Sequence, residues 1–199
     1  MVSDQRPQLP IVFSVGHSSL TVEAFFGLLQ MHSITDVFDV RSQPHSRFAP
    51  QFDAGMLEMS CDVAGVRYAL MGETLGGRPR DRSLYDSGGR VDYSALARRP
   101  FFVRGLERLV TNARMGRVAM LCAEEDPRHC HRRLLIGSEL NRRGIDVMHI
   151  RSDGRIETED ELRASETAVV QRQLFGEDSA WKSIRSVSRA GRRRTSSGF

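Results

Sequence analysis

Between Leu121 and Arg133 the chain reads Leu-Cys-Ala-Glu-Glu-Asp-Pro-Arg-His-Cys-His-Arg-Arg. Two sulfurs, two imidazoles and three carboxylates thus lie within one short stretch. Cys122 closes an apolar run, Val118 to Leu121, that reads as a β-strand. Asp126-Pro127 is a helix-start pair, Asp as cap and Pro at the first helical position, which places Cys130 in the first turn of the next helix. There the positive end of the helix dipole, together with His131 and Arg132, favours a thiolate. Such a thiolate is a nucleophile, a metal ligand or a redox centre. Cys130, and after it Cys122, is the candidate nucleophile, and Glu124 a candidate proton-transfer group. The plainer alternative is a pair of core cysteines beside a solvated charged turn.

Two sharper versions fare less well. Cys122 and Arg128 have the Cys-x5-Arg spacing of tyrosine phosphatases, but Glu124, Glu125 and Asp126 would repel an anion and Pro127 has no N–H to offer. Zinc bound through Cys122, Cys130 and His131, with His17 as a possible fourth ligand, is chemically allowable. The spacing matches no compact zinc template, so no metal is assigned and no cofactor is expected.

Asp39-Val40-Arg41 follows a second apolar run, and strand alternation puts Asp39 and Arg41 on one side. An aspartate can hold a guanidinium fork toward an anionic group; a structural ion pair is the competing reading. Arg47 lies a few residues on. His17 follows the first apolar run and is a candidate acid/base. The Gly16-His17-Ser18-Ser19 crossover also offers backbone N–H groups to an anion, though without a dinucleotide fingerprint. Gly76, Gly77 and Arg78 form a loop in which backbone approaches closely and positive charge is at hand. Cys61, among Met56, Leu57 and Val63, reads as packing.

Five apolar runs must position these groups: about 11–16, 34–40, 66–71, 118–122 and 146–150. Each runs out into a reactive or charged residue. Helices are expected between them: one capped by Ser18 or Ser19, one from Asp53 to Ala64 stopped by Gly65, and one from Tyr93 to Arg114 breaking near Pro100. A fourth runs from Asp126 to Arg143, and a fifth over 158–175. The long segment from Glu73 to Gly89 reads as a functional loop. Alternating strands and helices argue a three-layer α/β fold with a mainly parallel, five-stranded sheet. If the strands are parallel, all five ends share the edge where such sheets bind ligands.

The 199 residues suit one α/β domain over 1–176, with a basic, disordered tail over 177–199. The net charge of +4 belongs to that tail: residues 182–199 carry six basic and no acidic side chains, which leaves about −2 for the rest. No apolar run reaches the ~20 residues a membrane span needs. The N-terminus lacks a signal-peptide shape, and three cysteines do not make a secreted disulfide framework. A cytoplasmic, non-membrane protein is expected.

Ser14-Val15-Gly16-His17-Ser18, Asp39-Val40-Arg41…Pro44…Ser46-Arg47…Pro50…Phe52, Leu75-Gly76-Gly77 and Leu121-Cys122-Ala123-Glu124…Cys130-His131-Arg132 resemble the family called domain of unknown function 488. The resemblance covers about residues 11–150. It implies that His17, Asp39, Arg41, Arg47, Cys122, Glu124, Cys130, His131 and Arg132 are its featured positions, and it supplies no activity. The expectation from the residues is a cysteine-dependent hydrolase or transferase acting on an anionic, nucleotide- or nucleic-acid-related substrate. Arg41, Arg47, Arg78, His131, Arg132 and the Gly76-Gly77 loop would hold that substrate. The alternatives are a nucleic-acid-binding module that uses the basic tail, and a Cys-based redox or metal site.

Overall fold

The computed structural model describes residues 9–170. The expected C-terminal tail therefore lies outside the described residues. Continuous apolar runs form strands buried on both faces: β1 (Val12–Gly16), β2 (Asp36–Asp39) and β4 (Val118–Cys122) are buried at every residue. β3 (Arg67–Leu70) is a half-exposed edge strand. β5 (Val147–Ile150) completes the parallel set, and β6 (Ile156–Thr158) pairs antiparallel to it. The sheet order is β3-β2-β4-β1-β5-β6, parallel except for the last pair. It thus has six strands rather than five. β6 has only three residues, too few for a pattern to show, and follows a turn directly.

Alternation along the strands divides the core in two. Val118 and Met120 pack on one face with Leu106, Leu109, Leu135 and Ile136. Ala119 and Leu121 pack on the other with Phe25, Leu29, Phe52 and Leu57. The second face is covered by α1 (Val22–Met31) and α2 (Ala54–Ala64); the first by α3 (Gly72–Leu75), α4 (Tyr93–Ala97), α5 (Pro100–Ala113) and α6 (Ser138–Arg142). Cap chemistry sets the helix limits. α1 is capped by Thr21, whose hydroxyl accepts from the Ala24 N–H, and not by Ser18 or Ser19. Gly65 ends α2 in the left-handed conformation. Pro100 begins α5 and so separates it from α4. α7 (Glu159–Val170) follows β6.

β1 and β4 are adjacent, with Gly16 opposite Cys122. The chain leaving β1 enters α1 on one face; the chain leaving β4 reaches α6 on the other. Neighbouring strands whose connections diverge in this way open a crevice at their C-terminal ends, and that is where ligands bind in such sheets.

Candidate functional site

The connection after β4 departs from the expected helix. Asp126 caps a single 3₁₀ turn, Pro127–His129, and Cys130 then adopts an extended conformation (φ −118°, ψ 140°). Its carbonyl accepts the first bonds of a new helix, from the N–H groups of Arg133 and Leu134. Cys130 is therefore at the cap and not within the first turn. The following turns, Arg132–Gly137, are π-helical before α6 begins; such widened turns occur often at functional sites.

This path brings Cys130 and His131 back onto Cys122. The two Sγ atoms and His131 Nδ1 all lie within 4.8 Å of one another. Nδ1 is 3.7 Å from Cys122 Sγ and 3.9 Å from Cys130 Sγ. On the solvent side Glu124 Oε2 lies 2.9 Å from Cys122 Sγ and 3.4 Å from Cys130 Sγ. His131 Nε2 is 2.9 Å from the Val40 carbonyl oxygen. A carbonyl only accepts, so Nε2 carries the proton and binds the ring to the end of β2. Gly77 sits on the ring's flank: a Cβ there would lie 2.6 Å from His131 Cβ and Cγ. Gly16 likewise admits the Glu124 carbonyl, which a Cβ would meet at 1.8 Å.

The two thiols titrate as a pair. Burial opposes ionisation of Cys130, but the S–H of Cys122, the Arg132 guanidinium and His131 outweigh it and hold its pKa well below the usual thiol range. The hydrogen bond to Cys130, then burial, push Cys122 up in turn. Burial also works against a charged His131, yet Cys130 and Glu124 raise its pKa. Tyr93, at the start of α4, is buried beside the same groups. Burial first, then the charges of Cys130 and Cys122, lift its hydroxyl pKa. Nothing in the sequence marked Tyr93, because it is almost thirty residues from the nearer cysteine.

A second assembly lies on the other side of the edge. Asp39 accepts from Arg41 Nε (2.9 Å), Arg41 Nη2 (2.5 Å) and the Tyr68 hydroxyl (2.8 Å). Arg41 also donates to the Phe52 carbonyl (2.8 Å) and to His17 Nε2 (3.1 Å). The fork is spent on Asp39 and is not held out toward a ligand, so the structure has the ion pair and not the anion clamp. His17 stacks on Phe52 with ring centroids 4.4 Å apart, and its Nδ1 donates to the Ser18 carbonyl. Burial, then Arg41, bring its pKa down to about 4, which leaves it neutral with both ring nitrogens engaged. His17 positions Arg41; it has no lone pair left for a substrate. The N–H groups of His17 and Ser18 pair with the Cys122 and Ala123 carbonyls, so this crossover offers no anion cradle.

Arg132, expected to hold substrate, is fully buried. It donates to the Glu124 carbonyl, to the Glu125 carbonyl (2.6 Å) and to Ser14 Oγ (3.2 Å). It clamps the loop that carries Glu124. Arg151 grips the Glu125 carboxylate, and Arg128 joins Asp126 to Glu157, so Glu125 and Asp126 face partners and not a ligand. Arg47 and Arg78 are exposed. The Arg78 N–H donates to Ser42 Oγ (2.9 Å), and its guanidinium lies near enough to Tyr93 to act on its hydroxyl. Gly76 packs against Ser42 Oγ. Cys61 is in the α2 core, its thiol pushed up to about 12 by burial.

The residues scattered along the chain do meet. The His17 N–H donates to the Cys122 carbonyl, His131 reaches the Val40 carbonyl, and Arg41 lies within electrostatic reach of Cys122. Fold and site define a three-layer α/β protein with a sulfur–imidazole cluster at the switch point of its sheet. The chain belongs to the family described as domain of unknown function DUF488, which matches residues 21–138. No curated protein and no solved structure matches it. Among the described residues no helix is long and apolar enough to cross a membrane.

Proposed function

We propose that this protein is an enzyme of the cytoplasm, acting by hydrolysis or group transfer on an anionic substrate of the nucleotide or nucleic-acid class. Its reactive centre is the cluster of Cys122, Cys130, His131 and Glu124 at the C-terminal edge of the sheet. The observation that carries this reading is the convergence of two thiols, an imidazole and a carboxylate, from β4, its following loop and a helix cap, on one point of the ligand-binding edge. A strand end needs no such group for stability, since an apolar side chain packs there without the cost of burying polar atoms. Arg78 is an exposed cation within electrostatic reach of Tyr93 beside the cluster, and Arg47 with Phe48, 95% exposed, supplies a second cation and a ring on which a base can stack. The free state of all three cysteines suits a reducing compartment.

The test is a thermal-shift screen of the full chain against nucleotides, sugar phosphates and short oligonucleotides, followed by turnover of any ligand that stabilises it. Stabilisation that Arg78→Ala weakens, with turnover lost in Cys130→Ser, is expected. Absence of any response across these classes would remove the reading. The basic tail keeps a nucleic-acid-binding role in play on sequence grounds. If that were its main work, deleting residues 182–199 would abolish binding and flatten its salt dependence, whereas an enzyme centred on the cluster retains its turnover.

A further inference from the structure

We propose that Cys122, Cys130 and His131 bind one divalent transition-metal ion of the zinc type, with an open fourth position beside Glu124. The inference rests on the functional reading above and names the cofactor of that same cluster.

The distances carry it. With Zn–S near 2.3 Å and Zn–N near 2.05 Å, a tetrahedral site has S–N edges of about 3.6 Å and an S–S edge of about 3.8 Å. The S–N separations here are 3.7 and 3.9 Å, and all three atoms lie within 4.8 Å of one another. Small rotations of the side chains close the difference. Hydrogen-bond accounting points the same way. Each sulfur contacts both Glu124 Oε2 and His131 Nδ1, four contacts in all. Two thiols supply at most two protons to fill them. One central cation takes a lone pair from each sulfur and from Nδ1 at once, as the two thiol protons leave.

The surroundings are those of a ligand set. The Nε2–H of His131 is tied to the Val40 carbonyl, so Nδ1 presents its lone pair to the sulfurs; metal-binding histidines are held by such an outer bond. Gly77 packs against the ring, and Arg132 clamps the Glu124 carbonyl, so two of the four groups are positioned before any ion arrives. Cys130 is 1% and Cys122 4% exposed. A nucleophile buried to that degree cannot be reached by a substrate, whereas a metal ligand needs no access. Glu124 is exposed, so the fourth corner faces solvent, as in a catalytic site rather than a closed structural one.

The experiment is metal titration of the full chain, purified with reductant and stripped with a chelator. One equivalent of Zn²⁺ should bind in competition with a chromophoric chelator. Co²⁺ should give thiolate-to-metal absorption in the near ultraviolet and tetrahedral bands in the visible. Cys122→Ser, Cys130→Ser and His131→Ala should each weaken binding at least tenfold, with Cys61→Ser unchanged as control and folding followed by circular dichroism. If the cysteine variants fail to fold, the wild type decides: a reduced protein that takes up no Co²⁺ overturns the proposal. So does a Co²⁺ spectrum that survives in a folded Cys130→Ser. A metal-free protein that still turns over an anionic ligand loses the metal site and keeps the enzyme. A metal-loaded protein deaf to every ligand class loses the functional reading and keeps the metal site.

Discussion

Two polar assemblies lie side by side under the C-terminal edge of the sheet, and they are built on opposite plans. Around Arg132 and Arg133 the guanidinium donors are shared out among separate acceptors. Arg132 serves two carbonyls and Ser14 Oγ, Ser14 Oγ in turn is hydrogen-bonded to His149 Nδ1 (2.7 Å), and Arg133 makes paired bonds to Glu159 (2.9 and 3.0 Å) and Glu166 (2.5 and 2.8 Å). Around Cys122, Cys130, His131 and Glu124 the polar atoms face one common point instead of pairing one to one. A closed network of charge-assisted bonds holds the backbone in place. A convergent one leaves valence unspent, and that unspent valence is what a ligand uses. Both arginines are therefore scaffold, although in the sequence Arg132 looked like a substrate grip.

The contrast can be broken at several points. Arg132→Leu should do most harm, because two carbonyls and a hydroxyl lose their donors at about 1–3 kcal/mol each. A loss of about 3 kcal/mol or more in urea unfolding is expected, and Arg132→Lys should not rescue it, since a point charge cannot span three acceptors. A stable Arg132→Leu would show that the clamp is dispensable.

Glu159 comes next. Burial would raise its pKa, but His149, Arg133 and Arg163 hold it down at about 2. A carboxyl depressed from its ordinary value stabilises the fold above about pH 4.5, and that contribution fades as pH falls toward 2. It amounts to about 2–3 kcal/mol. Acid titration of unfolding should therefore be flatter in Glu159→Gln, which is also the less stable protein at neutral pH. Identical acid limbs for the two proteins would contradict this.

Gly77→Ala sharpens the comparison from the other side. Its Cβ would press on His131, so the expected cost to stability is about 1–3 kcal/mol. The larger consequence is displacement of Nδ1 from the sulfurs, read as weakened Co²⁺ binding in a protein whose circular dichroism is unchanged. Arg47→Ala should have the smallest effect on folding, within about 0.5 kcal/mol for an exposed side chain. It should lower ligand affinity without altering the melting temperature of the free protein.

Much of the fold was legible because its signals are local. The continuous apolar run of β1 marks a doubly buried strand, and helices alternating with the other short apolar runs imply a parallel sheet whose ends share one edge. Gly65, Pro100 and Gly144 mark helix limits through turn chemistry, and the left-handed Gly65 (φ 68°) and Gly144 (φ 74°) are where they were needed; Asp53 stands at the start of α2 as expected, but its carboxylate accepts from the Ser46 N–H and makes no cap bond. Two local signals misled. Ser18 and Ser19 are good cap residues, but Thr21 lies where the helix begins. Asp126-Pro127 opens a helix in most settings, yet here it opens one 3₁₀ turn, because the chain must bend to bring Cys130 onto Cys122.

Residue types and spacing along the chain pointed to an α/β sheet, to His17, Asp39, Arg41 and Cys122 at its C-terminal edge, and to two cysteines and a histidine as candidates for chemistry. These are matters of periodicity and of what each side chain is able to do. Three-dimensional packing assigned the roles. It spent Arg41 on Asp39 and Arg132 on the loop backbone, brought Tyr93 to the sulfurs, and turned His131 Nδ1 toward both thiols. A guanidinium or a thiol looks the same in any sequence; which partner saturates it depends on distances across the fold that no local pattern encodes.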